Sequence, residues 1–399
     1  MSVALASMRV LDLTQYEAGT SGTQLLAWLG ADVVKIEPPT GDPGRGVGGS
    51  ETRLSQYFVN YNSNKRSVVV NLKTKAGRDL LLAMIPHYDV FVENYGPGVI
   101  EQLGIDYETI AAIKPDIIYA RLKGFGLSGP YSGYNCYDWV AQAAAGAFSV
   151  TGYRDGPPLM PGTTTGDSGS GVQLALAITA AYVQKLQTGV GQMIELSMQE
   201  AVTLYMRTQG LGGWAESPAE RSPNGNRRGA ATTDVYPCKG GGANDYLFLF
   251  VVTSAQWDAL CMAMDRSELL VDERFQSSEL RAANSDALFD EIAAWTIQHE
   301  KHEAMALLAS NGVPCSAVLD TAEVFADEHL RQRRFIENVC DTNGESYVVM
   351  GFPPRLSASP ARLTAAPTFG RDTASVLTRD LGLSESDIAA LVQSGVVKG

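Results

Sequence analysis

Cysteine and histidine are both scarce in this chain. Five cysteines (Cys136, Cys238, Cys261, Cys315 and Cys340) are spread over 399 residues with no CxxC pair. That spacing excludes a disulfide scaffold or a zinc ribbon and leaves reduced thiols as the expectation. The four histidines are His87, His299, His302 and His329. His299 and His302 share a helix face at i, i+3, but they stand among Glu300, Lys301 and Glu303 without an HExxH motif. They read as solvated surface, and no metal is expected. No GxSxG elbow is present, which removes serine-hydrolase chemistry. The first glycine-bearing turn has Gly19 and Gly22 but not GxGxxG, so nicotinamide is not expected, although Glu37 stands where a ribose-binding acid would. No apolar run approaches the ~20 residues that span a bilayer. The N-terminal MSVALASMRV has neither a basic segment nor a long apolar core, so no signal peptide is read there. Positive charge is also short, at 31 Lys and Arg against 44 Asp and Glu, a net −13. Nucleic acid and anionic membranes are thereby excluded as partners. A cytoplasmic protein is the expectation.

What the chain does have is apolar content and alternation. With 45% hydrophobic and 19% charged residues, a globular chain of this length suggests two or three domains, or one large domain with an insertion. Short apolar strands are predicted over 9–13, 32–36, 67–70, 89–92 and 116–120, with helices over 23–29, 76–85 and 107–113 between them. This alternation predicts the α/β class, with a parallel, doubly wound sheet and ligands at strand carboxyl ends. A helix is predicted over 195–207. Composition shifts after Gly212, where Pro218, Pro223 and the stretch 224–229 read as a linker. A strand over 246–252 and helices over 257–264 and 288–308 suggest a smaller domain from about 215 to 325. Residues 353–367 read as an extended return segment, and the last helix covers about 385–393.

The densest chemical signal is Thr163-Thr164-Thr165-Gly166-Asp167-Ser168-Gly169-Ser170-Gly171. It sets Asp167 in a glycine-bearing turn ahead of VQLALAITAAYV, an apolar run with helix formers and no Pro or Gly. Free backbone N–H groups and the helix dipole favour an anion there. Gly166 and Gly169 would let a substrate come close. Two roles stand open for Asp167, a helix N-cap and a nucleophilic carboxylate. Elsewhere Arg45, Asn64-Lys65-Arg66 and Lys123 lie near loops, and Asn94-Tyr95-Gly96-Pro97-Gly98 makes a sharp turn with an aromatic face. Together they suggest a local phosphate pocket on an acidic protein, against ordinary loop capping and solvated charge.

These pieces, in this order, resemble the family III CoA-transferases, and within them the formyl-CoA transferase branch. The likeness rests on Val10-Leu11-Asp12-Leu13-Thr14 with Ala18-Gly19, on Leu29-Gly30-Ala31-Asp32-Val33-Val34-Lys35-Ile36-Glu37, and on Asn64-Lys65-Arg66-Ser67. It continues through Val92-Glu93-Asn94-Tyr95-Gly96-Pro97-Gly98, Gly166-Asp167-Ser168, Asn311-Gly312-Val313-Pro314-Cys315 and Asp380-Leu381-Gly382-Leu383, and so covers nearly the whole chain. The resemblance implies a Rossmann-like, CoA-binding large domain from 1–214 to which 326–399 returns, and a small α+β domain from 215–325. It also implies an interlocked homodimer, with active sites between the large domain of one subunit and the small domain of the other. Coenzyme A would be a co-substrate, with no tightly bound cofactor, moving from an acyl-CoA to a free carboxylic acid such as formate, oxalate or succinate.

The family's catalytic aspartate falls on Asp167. The resemblance implies that its carboxylate attacks the thioester, giving an aspartyl anhydride and then an aspartyl-CoA thioester. CoA contacts carry over to Tyr16, Asn94, Tyr95, Gly96 and Lys123, with Tyr57 as a pocket residue. Two departures stand out. Glu17 occupies the place of a glutamine in the formyl-CoA transferase branch, where it would repel an anionic acceptor or, if protonated, donate a hydrogen bond to it. The branch's four-glycine loop is absent, and nearby Asn226-Arg227-Arg228-Gly229-Ala230 would neutralise a dicarboxylate or simply decorate a loop. The α-methylacyl-CoA racemases share the fold and the aspartate but pair it with a histidine. That position aligns with Tyr137, and a phenol is a poor proton acceptor near neutral pH. A non-catalytic acyl-CoA-binding protein would keep the pocket and lose Asp167. The sequence therefore reads as a CoA-transferase with Asp167 as nucleophile.

Overall fold

The computed structural model describes residues 3–48, 54–209, 218–219, 221, 225 and 231–399. Six strands form a parallel sheet: β1 (Arg9–Asp12), β2 (Asp32–Glu37), β3 (Arg66–Val70), β4 (Val90–Glu93), β5 (Ile118–Lys123) and β6 (Gln192–Ser197). Their order is β3-β2-β1-β4-β5-β6, and the short strand Val397–Lys398 pairs antiparallel with β3 at the edge. Val33, Val34, Val68, Val69, Val70, Val90, Phe91 and Val92 are all buried. Continuous apolar runs of this kind, rather than alternation, are what a sheet covered on both faces requires. The expected α/β class and parallel sheet are observed.

Strand order reverses between β1 and β4. Their following loops diverge there and open a crevice at the carboxyl ends. Helices of the same unit carry or adjoin the residues discussed below: α1 (Ala18–Trp28), α2 (Gln56–Asn62), α3 (Asp138–Ala144), α4 (Ser168–Thr188) and α5 (Met198–Tyr205). α1 and α4 meet backbone to backbone. A Cβ on Gly171 would lie 2.0 Å from Ser21 Oγ and 2.9 Å from the Ala18 carbonyl, and one on Gly22 would lie 2.9 Å from the Gly171 carbonyl. This contact requires α1 to start at Ala18, five residues before the predicted start and through two glycines of low helix propensity.

Of the helix predicted over 195–207, Met198–Tyr205 is observed as α5, but the residues before it belong to the strand β6. β6 pairs along its whole length with β5, from Ile118↔Gln192 to Lys123↔Ser197. Ser197 then caps α5 by accepting the Glu200 N–H. The partner that makes Gln192–Ser197 a strand is some 70 residues distant, so a local reading misses it. The helix predicted over 288–308 is two helices, Ser285–Thr296 and Lys301–Ser310.

The chain clusters into two compact units, Met1–Ala147 with Met160–Glu216 and Arg331–Gly399, and Phe148–Leu159 with Ser217–Leu330. The second contains an antiparallel sheet of Asp234–Pro237, Tyr246–Leu249 and Cys315–Ala317, whose core includes Tyr236, Leu249, Trp257, Phe275 and Ile292. Among the described residues no helix is long and apolar enough to cross a membrane.

Candidate active site

The loops leaving β1, β4 and β5 line a cleft of about 310 Å³ within the first unit. Gln15 and Tyr16 follow β1, Asn94, Tyr95 and Gly96 follow β4, and Lys123 ends β5. One amide ties the first two loops together. Asn94 Oδ1 accepts the Gln15 N–H at 2.8 Å, while its Nδ2 donates to the Gln15 carbonyl at 2.9 Å. Tyr16 is left-handed (φ 59°), a conformation that costs a non-glycine residue roughly 1–2 kcal/mol. Its N–H donates to Asp42 Oδ1 at 3.3 Å, and its exposed ring forms part of the cleft wall. Lys123 Nζ donates to Glu93 Oε2 at 2.8 Å and to the Tyr95 carbonyl at 2.6 Å. Burial nevertheless lowers its affinity for a proton, because that desolvation outweighs the attraction of Glu93.

Beneath the cleft lies a buried ionic network. Lys65 Nζ donates to Asp12 Oδ2, the Thr20 carbonyl and Asn62 Oδ1, each at 3.0 Å, and burial brings its pKa down to about 8. Arg45 is engaged by Glu37 and by the Pro367 carbonyl. Neither cation is turned to a phosphate, contrary to the expectation from their loop positions. Both neutralise acids that fasten strand ends, a partner set the local sequence does not show.

Asp167 immediately precedes α4 and makes no side-chain capping bond. The cap reading is thereby overturned. Its own N–H donates to Asp138 Oδ1 at 2.8 Å, which fixes the turn and leaves the carboxyl group on the cleft wall. The two flanking glycines serve the protein rather than a substrate. A Cβ on Gly166 would sit 2.6 Å from the Asp138 carbonyl, and one on Gly169 would sit 2.9 Å from the Tyr205 ring. The expectation that the helix terminus favours the anion is also reversed. Burial first, then the charges of Glu17 and Asp138, push the Asp167 pKa up to about 7.

Glu17 is buried before α1 and accepts the Ser168 hydroxyl at 2.7 Å. Tyr61, on α2, lies near the same carboxylate and meets Tyr57 edge-on, with ring centroids 5.1 Å apart. Burial, with Glu17 and Asp167 nearby, pushes both phenols upward and keeps them neutral. Cys136 and Tyr137 complete the cleft wall beside Asp167. Burial and the Asp167 charge raise the Cys136 thiol to about 11, so it is inert as a nucleophile near neutral pH.

The family model for CoA-transferase family III matches residues 5–373. The chain belongs to CoA-transferase family III. It is accordingly a CoA-transferase enzyme. It is 38% identical to a formyl-CoA:oxalate CoA-transferase of Streptomyces avermitilis, over the full length of both. It is 35% identical to a Bradyrhizobium enzyme of the same name, over 100% of this chain and 98% of that one. Among solved structures, a CAIB/BAIF family protein from Brucella suis superposes with a TM-score of 0.85 at 29% identity, covering 95% of this chain and 100% of that one.

Tyr16, Asn94, Tyr95, Gly96, Lys123, Tyr137 and Asp167 all lie on the one cleft of this family III chain. Glu17 and Tyr57 do not line that cleft; Glu17 acts on Asp167 through its charge, and Tyr57 stands near both as a neutral phenol. Arg227 and Arg228 lie outside the described residues. Asp138, Tyr61 and Gln15 were not singled out from the sequence. Asp138 had a weak signal, an acid in the first turn of a short helix, but its role depends on Gly166 pressing against it.

Proposed function

We propose that this enzyme moves CoA from an acyl-CoA thioester to a small free carboxylic acid, with Asp167 as the covalent nucleophile. The observation that carries the reading is a carboxyl group on the wall of a switch-point cleft, fixed by its backbone and free of side-chain hydrogen bonds among the described residues. An ionised Asp167 oxygen attacks the thioester carbonyl, and the C–S bond breaks to give an aspartyl anhydride and CoA thiolate. The thiolate attacks the aspartyl carbonyl, releasing the donor acid and leaving aspartyl-CoA thioester. The acceptor carboxylate attacks that thioester and expels the thiolate. Attack of the thiolate on the acceptor's carbonyl then forms the new acyl-CoA and regenerates Asp167.

Tyr16, Asn94, Tyr95, Gly96 and Lys123 would hold CoA at the strand ends, where doubly wound folds take such ligands. The relatives' names support formate and oxalate as the acids. Proton abstraction at a substrate carbon is disfavoured, because the cleft presents the exposed phenol of Tyr137 beside Asp167 and no histidine. A homodimer fits the exposed apolar side chains Val172, Leu176, Val183 and Leu186 on α4, which a second copy would cover. Light scattering should give twice the chain mass.

The decisive experiment is intact-mass analysis after mixing with formyl-CoA. Wild type should acquire a covalent adduct on the peptide containing Asp167. Asp167→Ala should show none and lose roughly 10³-fold or more of its transfer rate while still binding CoA. Full turnover by that variant would refute the mechanism.

A further inference from the structure

Glu17 and Asp167 occupy equivalent places, each the residue before a helix, and the close crossing of α1 and α4 at Gly22 and Gly171 brings those helix starts together. Asp138, at the start of α3, closes another side. Its Oδ1 accepts the Asp167 N–H and its Oδ2 accepts Gln142 Nε2 at 2.6 Å, two donors that stabilise its charge. Glu17 likewise accepts from Ser168 Oγ at 2.7 Å. Asp167 has no side-chain donor among the described residues, and no lysine or arginine among them pairs with it or with Glu17. The other groups facing Asp167 are the neutral Tyr57 and Tyr61 on α2 and the neutral Cys136 and the phenol of Tyr137 before α3. Acids crowded together without a cation retain a proton, and it settles on the member with the fewest donors.

We propose that Glu17 is a positioning residue that keeps a proton on Asp167 in the unliganded site, the Ser168 hydroxyl holding the Glu17 carboxylate beside the Asp167 turn so that the nucleophile rests neutral. The inference rests on the reading of Asp167 as nucleophile. A neutral carboxyl group does not attack a thioester, so reaction requires that proton to leave for solvent. Glu17 thus sets the pH above which the enzyme reacts with its acyl-CoA. The value of about 7 for Asp167 is consistent with this arrangement. A glutamine at position 17 would keep the shape and remove the charge.

The test is the pH profile of kcat/KM for formyl-CoA between about pH 5 and 9, with oxalate saturating. In wild type the rate should fall about tenfold per pH unit below its acid-side inflection. Glu17→Gln should move that inflection down by about one unit or more, raising the ratio of activity at pH 6 to activity at pH 8 by roughly five- to tenfold. Ser168→Ala should move it in the same direction by less, because the hydroxyl that holds the Glu17 carboxylate beside the Asp167 turn is then gone. A purely structural role would lower kcat and leave the inflection in place, and that result in Glu17→Gln overturns the proposal. Should Glu17→Gln fail to fold, an unmoved inflection in Ser168→Ala overturns it instead. Turnover by Asp167→Ala removes the nucleophile reading and this inference with it. An inactive Asp167→Ala together with an unmoved inflection removes only the role of Glu17.

Discussion

Asp167 and Asp380 belong to the same compact unit, and their surroundings act on them in opposite directions. Asp380 accepts from Arg9 Nη2 at 2.5 Å, from Arg379 Nε at 2.6 Å and from the Tyr88 hydroxyl at 2.7 Å. These donors outweigh burial and hold its pKa down at about 2. Its folded value lies below the ordinary 3.8 of an aspartate, so its contribution to stability is present above about pH 4 and is lost as pH falls toward 2. Asp380→Asn should cost about 1.5–3 kcal/mol at pH 7 and much less at pH 2, as read from denaturant midpoints. Asp167 behaves in reverse. Its folded value is raised, so the native state binds more protons than the unfolded chain between about pH 4 and 7, and stability falls as pH rises through that window. Asp167→Asn should therefore raise the melting temperature at pH 8 and leave it nearly unchanged at pH 4. A group that destabilises its own fold at working pH is what a reactive carboxylate looks like thermodynamically.

At the scale of the element, the site depends on how closely two helices approach. Gly171 and Gly22 let α1 and α4 touch through backbone atoms, and the residues preceding these helices are Glu17 and Asp167. Gly171→Ala places a methyl group 2.0 Å from Ser21 Oγ and 2.9 Å from main-chain atoms, so the helices must separate. The expected cost is about 1–3 kcal/mol in urea unfolding, with a loss of transfer activity because Asp167 moves with α4. Gly46→Ala is the matched control. Nothing lies within 4 Å of its Cβ position, and its stability should change by less than about 0.5 kcal/mol.

On the scale of the whole molecule, the last residues of the chain complete the core begun by the first. Val376, Leu377, Ile388 and Val397 pack in one cluster with Leu11, Val34, Val68 and Leu81. Val397–Lys398 extends the sheet beyond β3. The helices Thr373–Leu381 and Glu385–Gln393 thus pack onto the first unit's core, the former through Val376 and Leu377 and the latter through Ile388. Leu377→Ala should cost about 2–5 kcal/mol in thermal or chemical unfolding. Removal of residues 373–399 should abolish the cooperative transition of that unit and its near-UV circular dichroism. A truncated chain that unfolds cooperatively at the wild-type midpoint would refute this role.

Much of this was legible in the chain itself. The β-branched runs of β1 to β5, the apolar stretch of α4 and the last helix announce themselves because local composition and periodicity determine them. Asp167 and the residues around Asn94 stood out for the same reason, being unusual side chains in turns beside such runs. β6 was not legible, since its strand character comes from pairing with β5. The glycines around Asp167 were visible, but what they touch was not. Lys65 and Arg45 looked like phosphate ligands until their acidic partners were in place. The sequence by itself determined the α/β class, the family and which carboxylate to suspect. Only the tertiary structure decided that this carboxylate caps nothing, that Glu17 and Asp138 crowd it, and that its charge is disfavoured. Electrostatic environment depends on distances across the fold, and those are set by how helices and strands pack rather than by neighbours along the chain.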